Sequence, residues 1–287
     1  VLDYPHVSVS EFRRHPTFLD TNNLVTGNTQ ASQDAALTNI LLEASQWADD
    51  KVDMPLAAHV RTENVRMFAS RSGQLRYHPE HAPVLSVTGM SVGATPDTLD
   101  AQVDPQVWTE LDGRVIVAFN PSSGGGLGSL QFGSAPANVE QLVSWTYVSG
   151  FPSTQLVDPA AVGATTLDVR DPTGITAGTV LRLWTPGLEE AITVASVVGE
   201  TLTLTGGVKY AHAAEDTCSS LPTTIRQAVI YYATFLLMRP ASTGENYVPN
   251  QPGPASSATA TDSRRTGRST YLFDEACKLL KPYKRIR

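Results

Sequence analysis

Several groups of side chains carry residue types that could do chemistry. His78-Pro79-Glu80-His81 brings two imidazoles and a carboxylate within four positions, the donor types of a zinc site. Prolines at 79 and 83 forbid the helical spacing that would aim both rings at one ion, so no metal is expected there. Asp49, Asp50 and Asp53, and again Glu189-Glu190, could serve as an acid and a base. Nothing near them in sequence would hold a proton, and solvated faces are the expectation. Gly124-Gly125-Gly126-Leu127-Gly128 has the glycine content of a phosphate loop, yet no Gly-Lys-Ser/Thr follows and no helical pattern begins there. A loop tip is expected instead. Ser, His and Asp all occur, but no Gly-x-Ser-x-Gly elbow exists to expose a nucleophile. Cys218 and Cys277 lie far apart without a partner at metal spacing, which excludes a disulfide scaffold and a zinc ribbon and points to a reducing compartment. Cys277 is expected to be a small core residue. The residues therefore predict no enzyme, no cofactor and no metal.

The group that stands apart is the basic end. From Arg264 to Arg287 there are eight Lys and Arg against only Asp274 and Glu275, although the whole chain of 287 residues carries a net charge of −7. A protein that grips duplex DNA would show the opposite balance. An acidic body with a basic end suits docking onto an acidic protein partner. No secretory signal is visible in the first thirty residues, and the longest apolar stretch, Ala228 to Met238, is too short to cross a bilayer, so a soluble protein without a membrane partner is expected.

The elements that must position these residues follow from periodicity. Residues 1–30 read as an extended arm. From Ser32 to Val52 the apolar positions Leu37, Ile40, Leu41, Ala44, Trp47, Ala48 and Val52 recur three and four apart, with Ser32 as N-cap, which predicts an amphipathic helix whose outer face carries Glu43, Asp49 and Asp50. Beyond Pro55 the period shortens toward two. His59 to Tyr77 reads as a hairpin turning at Arg71-Ser72-Gly73, Val84 to Val92 as a strand, Trp108 to Phe119 as a hairpin with Asp112-Gly113 at its tip, and Gln141 to Val148 as a strand. These complete a region spanning 31–158. Residues 159–219 are Thr- and Val-rich, with short alternating strands and Pro/Gly turns, and predict a small inserted β-barrel or sandwich. Residues 220–240 return to helix after Leu221-Pro222, 241–268 form a Pro/Ser/Thr/Gly-rich strap, and 269–287 form a short helix and the basic tail.

In this order the chain resembles the head-to-tail connector, or adaptor, proteins of long-tailed bacteriophages. The residues that carry the resemblance are the Leu37 to Val52 helix, the His59 to Tyr77 segment followed by Pro83-Val84-Leu85-Ser86-Val87, the Leu221-Pro222-x-x-Ile225-x-x-Ala228 helix start with Tyr231-Tyr232-Ala233, and the closing Leu279-Leu280-Lys281-Pro282-Tyr283-Lys284-Arg285. The insert, with Tyr210-Ala211-His212-Ala213 ahead of Leu221-Pro222, looks like a β module of actinobacteriophage versions. The resemblance implies an α+β chain in which N- and C-terminal helices form an α-helical connector core, decorated by β-hairpins and the inserted β domain. It also implies a structural virion protein without enzymatic activity, made in the bacterial cytoplasm and located in the neck between capsid and tail. There it would form a dodecameric ring beneath the portal protein and join stopper or tail-terminator proteins below. Double-stranded DNA would pass through its channel without sequence-specific binding. Lys281, Tyr283, Lys284, Arg285 and Arg287 would dock on the portal, while Glu43, Asp49 and Asp50 would line the channel, where like charge keeps DNA sliding. Common members of the family are much shorter than this chain.

Two other readings compete. One is a different neck or tail structural protein, such as a stopper or tail-completion protein. The other is a carbohydrate-binding module of a host-recognition protein, suggested by Trp145, Tyr147 and Trp184 among Thr-rich strands.

Overall fold

A computed structural model describes residues 2–17, 19–25, 29–68, 74–93, 95–101, 106–109, 115–118, 140–238 and 271–284. The chain divides into two compact units: Ala58–Phe151, and Val1–Ala57 together with Pro152–Arg287.

Among its described residues the continuous unit is β apart from one 3-10 turn at Pro96–Thr98. Its strands are β1 (His59–Phe68), β2 (Gln74–Tyr77), β3 (Val84–Gly93), β4 (Asp100–Ala101), β5 (Gln106–Thr109), β6 (Val115–Ala118) and β7 (Glu140–Ser149). They form a four-stranded sheet ordered β1-β7-β3-β4 and a three-stranded sheet ordered β2-β6-β5, antiparallel throughout. The period of two governs burial: Glu63 and Met67 of β1 are buried, and Val60, Thr62, Asn64, Arg66 and Phe68 between and beside them are exposed. The central strand β7 contributes Val143, Trp145 and Tyr147 to a core shared with Met67, Met90 and Val92. A hairpin from His59 to Tyr77 is not formed. β1 pairs with β7 over ten residues and β2 pairs with β6, so the two strands belong to different sheets. The β5–β6 pair agrees with the expected hairpin around Asp112-Gly113, whose tip lies outside the described residues.

The other unit joins four helices to six strands. The helices are α1 (Val9–Arg14), α2 (Gln30–Val52), α3 (Thr223–Met238) and α4 (271–280). Thr29 caps α2 in place of Ser32: its hydroxyl accepts the Ser32 amide, while the Ser32 hydroxyl donates back to the Thr29 carbonyl. Leu37, Leu41, Ala44, Ala48 and Val52 of α2 are fully buried, as are Ile225, Ala228, Val229 and Ala233 of α3, and the two helices pack together. Each buried leucine contributes about 2 kcal/mol relative to exposure. Residues 1–30 are not simply an extended arm, because Ser8 caps the short α1 and Phe12 is buried.

The strands of this unit are β8 (Ser153–Gln155), β9 (Thr166–Asp168), β10 (Val180–Leu183), β11 (Glu190–Val198), β12 (Thr201–Leu204) and β13 (Thr217–Ser219). They run in the order β8-β13-β10-β11-β12-β9. A bridge between Leu156 and Val169 brings the two end strands together, curling the sheet around Leu156, Leu167, Leu181, Leu183, Val194 and Leu202. Gly199, at φ 59°, makes the tight β11–β12 turn that a side chain would strain.

These observations overturn the expected α-helical connector core. The protein is mostly β, with three antiparallel sheets and four helices among the described residues. The physical reason is that the 58–151 segment, read as hairpins decorating helices, pairs its strands over long range into a unit with its own core. The Ser122 to Gly128 loop and the 241–267 strap lie outside the described residues. No helix among the described residues is long and apolar enough to cross a membrane.

Candidate functional site

Aromatic residues of α2, α3 and α4 converge on one place. Trp47 of α2 stacks on Tyr232 of α3, with ring centroids 3.9 Å apart and planes 5° from parallel. Phe273 of α4 lies 5.9 Å from Trp47 and 5.5 Å from Phe235. Aromatic pairs at such separations add to ordinary area burial, so this cluster fixes α4 against α2 and α3. At the end of α4 the Tyr283 hydroxyl meets the Thr224 hydroxyl at 2.7 Å. The last described turn is thereby tied to the start of α3, with Lys281 and Lys284 exposed beside it. Of the five basic-end residues proposed for docking, Lys281, Tyr283 and Lys284 thus stand together; Arg285 and Arg287 lie outside the described residues.

The acidic helix residues separate. Glu43 and Asp50 are exposed on α2, but Asp49 points inward. Its carboxylate accepts from the Leu56 amide at 3.0 Å and faces the buried His6 ring at 3.1 Å. Asp49 closes the end of α2 and ties down the N-terminal segment.

Three internal networks stand out among the described polar side chains. The first surrounds Arg226 on α3, which is 1% exposed. It binds both carboxylate oxygens of Glu11, donates to the His6 carbonyl at 2.7 Å and lies 4.3 Å over the Trp184 ring, beside which Arg182 also stands. Burial pushes the Glu11 carboxyl up, and the guanidinium opposes that shift.

The second is in the curled sheet. Glu190 accepts the Lys209 and Tyr210 amides and meets His212 Nε2 at 2.9 Å, and these bonds outweigh burial to hold its carboxyl below the usual range. His212 Nδ1 lies 2.6 Å from the Thr185 hydroxyl, which also bonds Asp216. A hydroxyl, an imidazole and a carboxylate in line have the order of a nucleophilic triad. Here the hydroxyl is shared with a second carboxylate, and Asp216 in turn accepts the Ala213 amide and the Ser10 hydroxyl. The arrangement holds the 206–216 loop in place.

The third network is in the 58–151 unit. The buried Glu63 carboxylate accepts the Tyr77 and Tyr147 hydroxyls, Arg61 Nε at 3.0 Å and the Glu80 amide, and Arg61 also reaches the Glu80 carboxylate. Burial and the facing carboxylate push both phenols well above their usual range. Beside them His81 Nδ1 lies 2.9 Å from His59 Nε2, with Ser149 at 3.3 Å. The expected absence of a zinc arrangement at 78–81 reads differently in detail: His81 is buried, Glu80 pairs with Arg61 and His78 is exposed. Among the described residues no group of three or more His, Cys, Asp and Glu is placed to hold a metal.

Burial, with help from Arg61 and His59, lowers His81 to about 4. An imidazole depressed in the fold stays neutral while the unfolded chain takes up a proton, so stability is complete above about pH 6.5 and falls as pH drops toward 4. We expect a loss on the order of 1–3 kcal/mol across that window. Denaturant midpoints between pH 7.5 and 4.5 measure it, and His81→Asn should flatten the slope; an unchanged slope would remove His81 as its source.

Arg226, Glu63, Tyr147 and Asp216 carry no local sign of their anchoring role, because each has a partner at least seventeen residues away. The only available signal was an Arg within an apolar helical face at 225–229. Trp145 and Tyr147 are 1% and 2% exposed, while Trp184 is half-buried with the Arg226 and Arg182 guanidiniums 4.3 and 5.0 Å from its ring centre. No protein-family model matches the chain, and no curated protein matches it.

Proposed function

We propose that this chain is a structural protein of a long-tailed bacteriophage virion, an adaptor in the neck that forms a ring beneath the portal and hands double-stranded DNA on to neck and tail proteins. The proposal carries a mostly β body. Its support is the resemblance in the helical segments together with one geometric feature: an exposed turn bearing Lys281 and Lys284, at the end of a helix packed on two others. Trp47, Tyr232 and Phe273 fix α4, and Tyr283 ties the turn beyond it to Thr224, so Lys281 and Lys284 leave the body from a set position. Pre-ordering of this kind lowers the entropic cost of docking.

Within this reading Glu43 and Asp50 remain the channel-facing acids, and Asp49 has a different task inside the protein. Reversing Lys281, Lys284, Arg285 and Arg287 to Glu tests the docking. These positions need not disturb the aromatic cluster, so a folded protein that fails to join portal-bearing heads is the expected result. Heads that join normally would refute portal docking through the basic end, and electron microscopy of particles showing this chain away from the neck would refute the adaptor reading as a whole.

A further inference from the structure

The four-stranded sheet ends in two unlike edges. On one side β3 is bulged between Val84 and Ser86 and again between Val87 and Gly89, and β4 covers its far end. Bulges and short covering strands are the usual means of blocking edge-to-edge pairing. On the other side β1 runs ten residues in unbroken register with β7, without a bulge or a proline. Among the described residues nothing pairs with its outer edge.

That edge also exposes the two most exposed large apolar side chains among the described residues of the unit, ahead of Leu85 on β3. Val60 is 60% exposed and Phe68 is 61% exposed, near the two ends of the strand and on the same face. Between them, on that face, lie Thr62, Asn64 and Arg66. The pattern is symmetric about Asn64. An antiparallel copy centred there sets Val60 against Phe68 and Phe68 against Val60, Thr62 against Arg66, and Asn64 against itself. Both exposed apolar residues gain cross-strand partners, and the arginines avoid one another. On the inner face the same register sets Glu63 opposite Val65 and Arg61 opposite Met67, so no like charges meet. A shift by two residues loses both Val–Phe pairs.

We infer that β1 is a self-complementary docking edge for a second copy of this chain, pairing antiparallel about Asn64 to join two four-stranded sheets into one. The inference does not rest on the adaptor proposal. A two-fold contact closes on itself and does not propagate into a ring, so it describes the free protein.

Cysteine placement tests the register. In the full chain, Asn64→Cys should form a disulfide-linked dimer under mild oxidation, because directly opposed residues have Cα atoms about 4.5–5.5 Å apart, within disulfide reach. Thr62→Cys should not, since it would face its own copy across roughly 13 Å along the strands. The parent chain controls for Cys277. In sedimentation equilibrium, Val60→Lys with Phe68→Lys should weaken self-association about tenfold, the loss of two cross-strand pairs and their replacement by charge. Both positions are exposed, so the fold is retained. A single-copy mass at all concentrations, dimers indifferent to the lysines, or equal cross-linking at 62 and 64 would each overturn the inference and leave the location of the chain in a particle an independent question.

Discussion

Replacing Arg226 by Ala is expected to cost about 3–5 kcal/mol of stability, read as a shift in the guanidinium chloride midpoint. The guanidinium is the shared partner of Glu11, the His6 carbonyl and the Trp184 ring, and its removal leaves a carboxylate in a dry site with nothing opposite it. The two contributions separate with a second variant. Arg226→Met combined with Glu11→Leu removes both charges, and a buried pair exchanged for apolar groups of similar size is often neutral. The double variant should recover most of the loss. If Arg226→Ala alone unfolds at the parent midpoint, the network does not hold the N-terminal segment to α3.

The second large effect belongs to Glu63. Glu63→Ala should cost about 3–5 kcal/mol, because two tyrosine hydroxyls, an arginine and the Glu80 amide lose one common acceptor inside the 58–151 unit. The effect should be local. Amide exchange in peptides covering 59–68 and 140–149 is expected to accelerate, while peptides covering 180–204 keep their protection. Removing the carboxylate should also let both phenols ionise at lower pH, visible as phenolate absorbance in an alkaline titration. Uniform acceleration everywhere, or phenols that titrate as before, would contradict the assigned role.

Individual elements were legible in the sequence, but, the β5–β6 hairpin apart, their long-range pairing was not. The α2 periodicity located a helix found at Gln30–Val52, and the alternation of Val84–Val92 and Gln141–Val148 located strands now seen at Val84–Gly93 and Glu140–Ser149. Period-two burial is a local property of a strand and survives whatever partner it finds. Partner choice is long-range: His59 pairs with Ser149, ninety residues on, and the short turn at Arg71-Ser72-Gly73 suggested a hairpin with Tyr77 that the sheets do not make. The same limit applied to the site. Asp49 shares a helix face with exposed polar neighbours in projection, and only the return of His6 and Leu56 to that place turns it inward. The basic end was readable because it is contiguous, whereas the Thr224 bond that orients Tyr283 spans 59 residues.

The separation of 215 residues between Glu11 and Arg226 has a consequence for how the chain is made. On a ribosome adding roughly 5 to 20 residues per second, Glu11 emerges on the order of 10 to 40 s before the arginine that neutralises it. The 58–151 unit is contiguous, begins and ends where the Ala58 amide bonds the Phe151 carbonyl, and can close while synthesis continues. Meanwhile the N-terminal segment can already meet α2 through His6, Ser45 and Asp49, but Glu11 must wait for α3. Assembly of the discontinuous unit is therefore a late event, and the order of folding runs from the middle of the polypeptide outward.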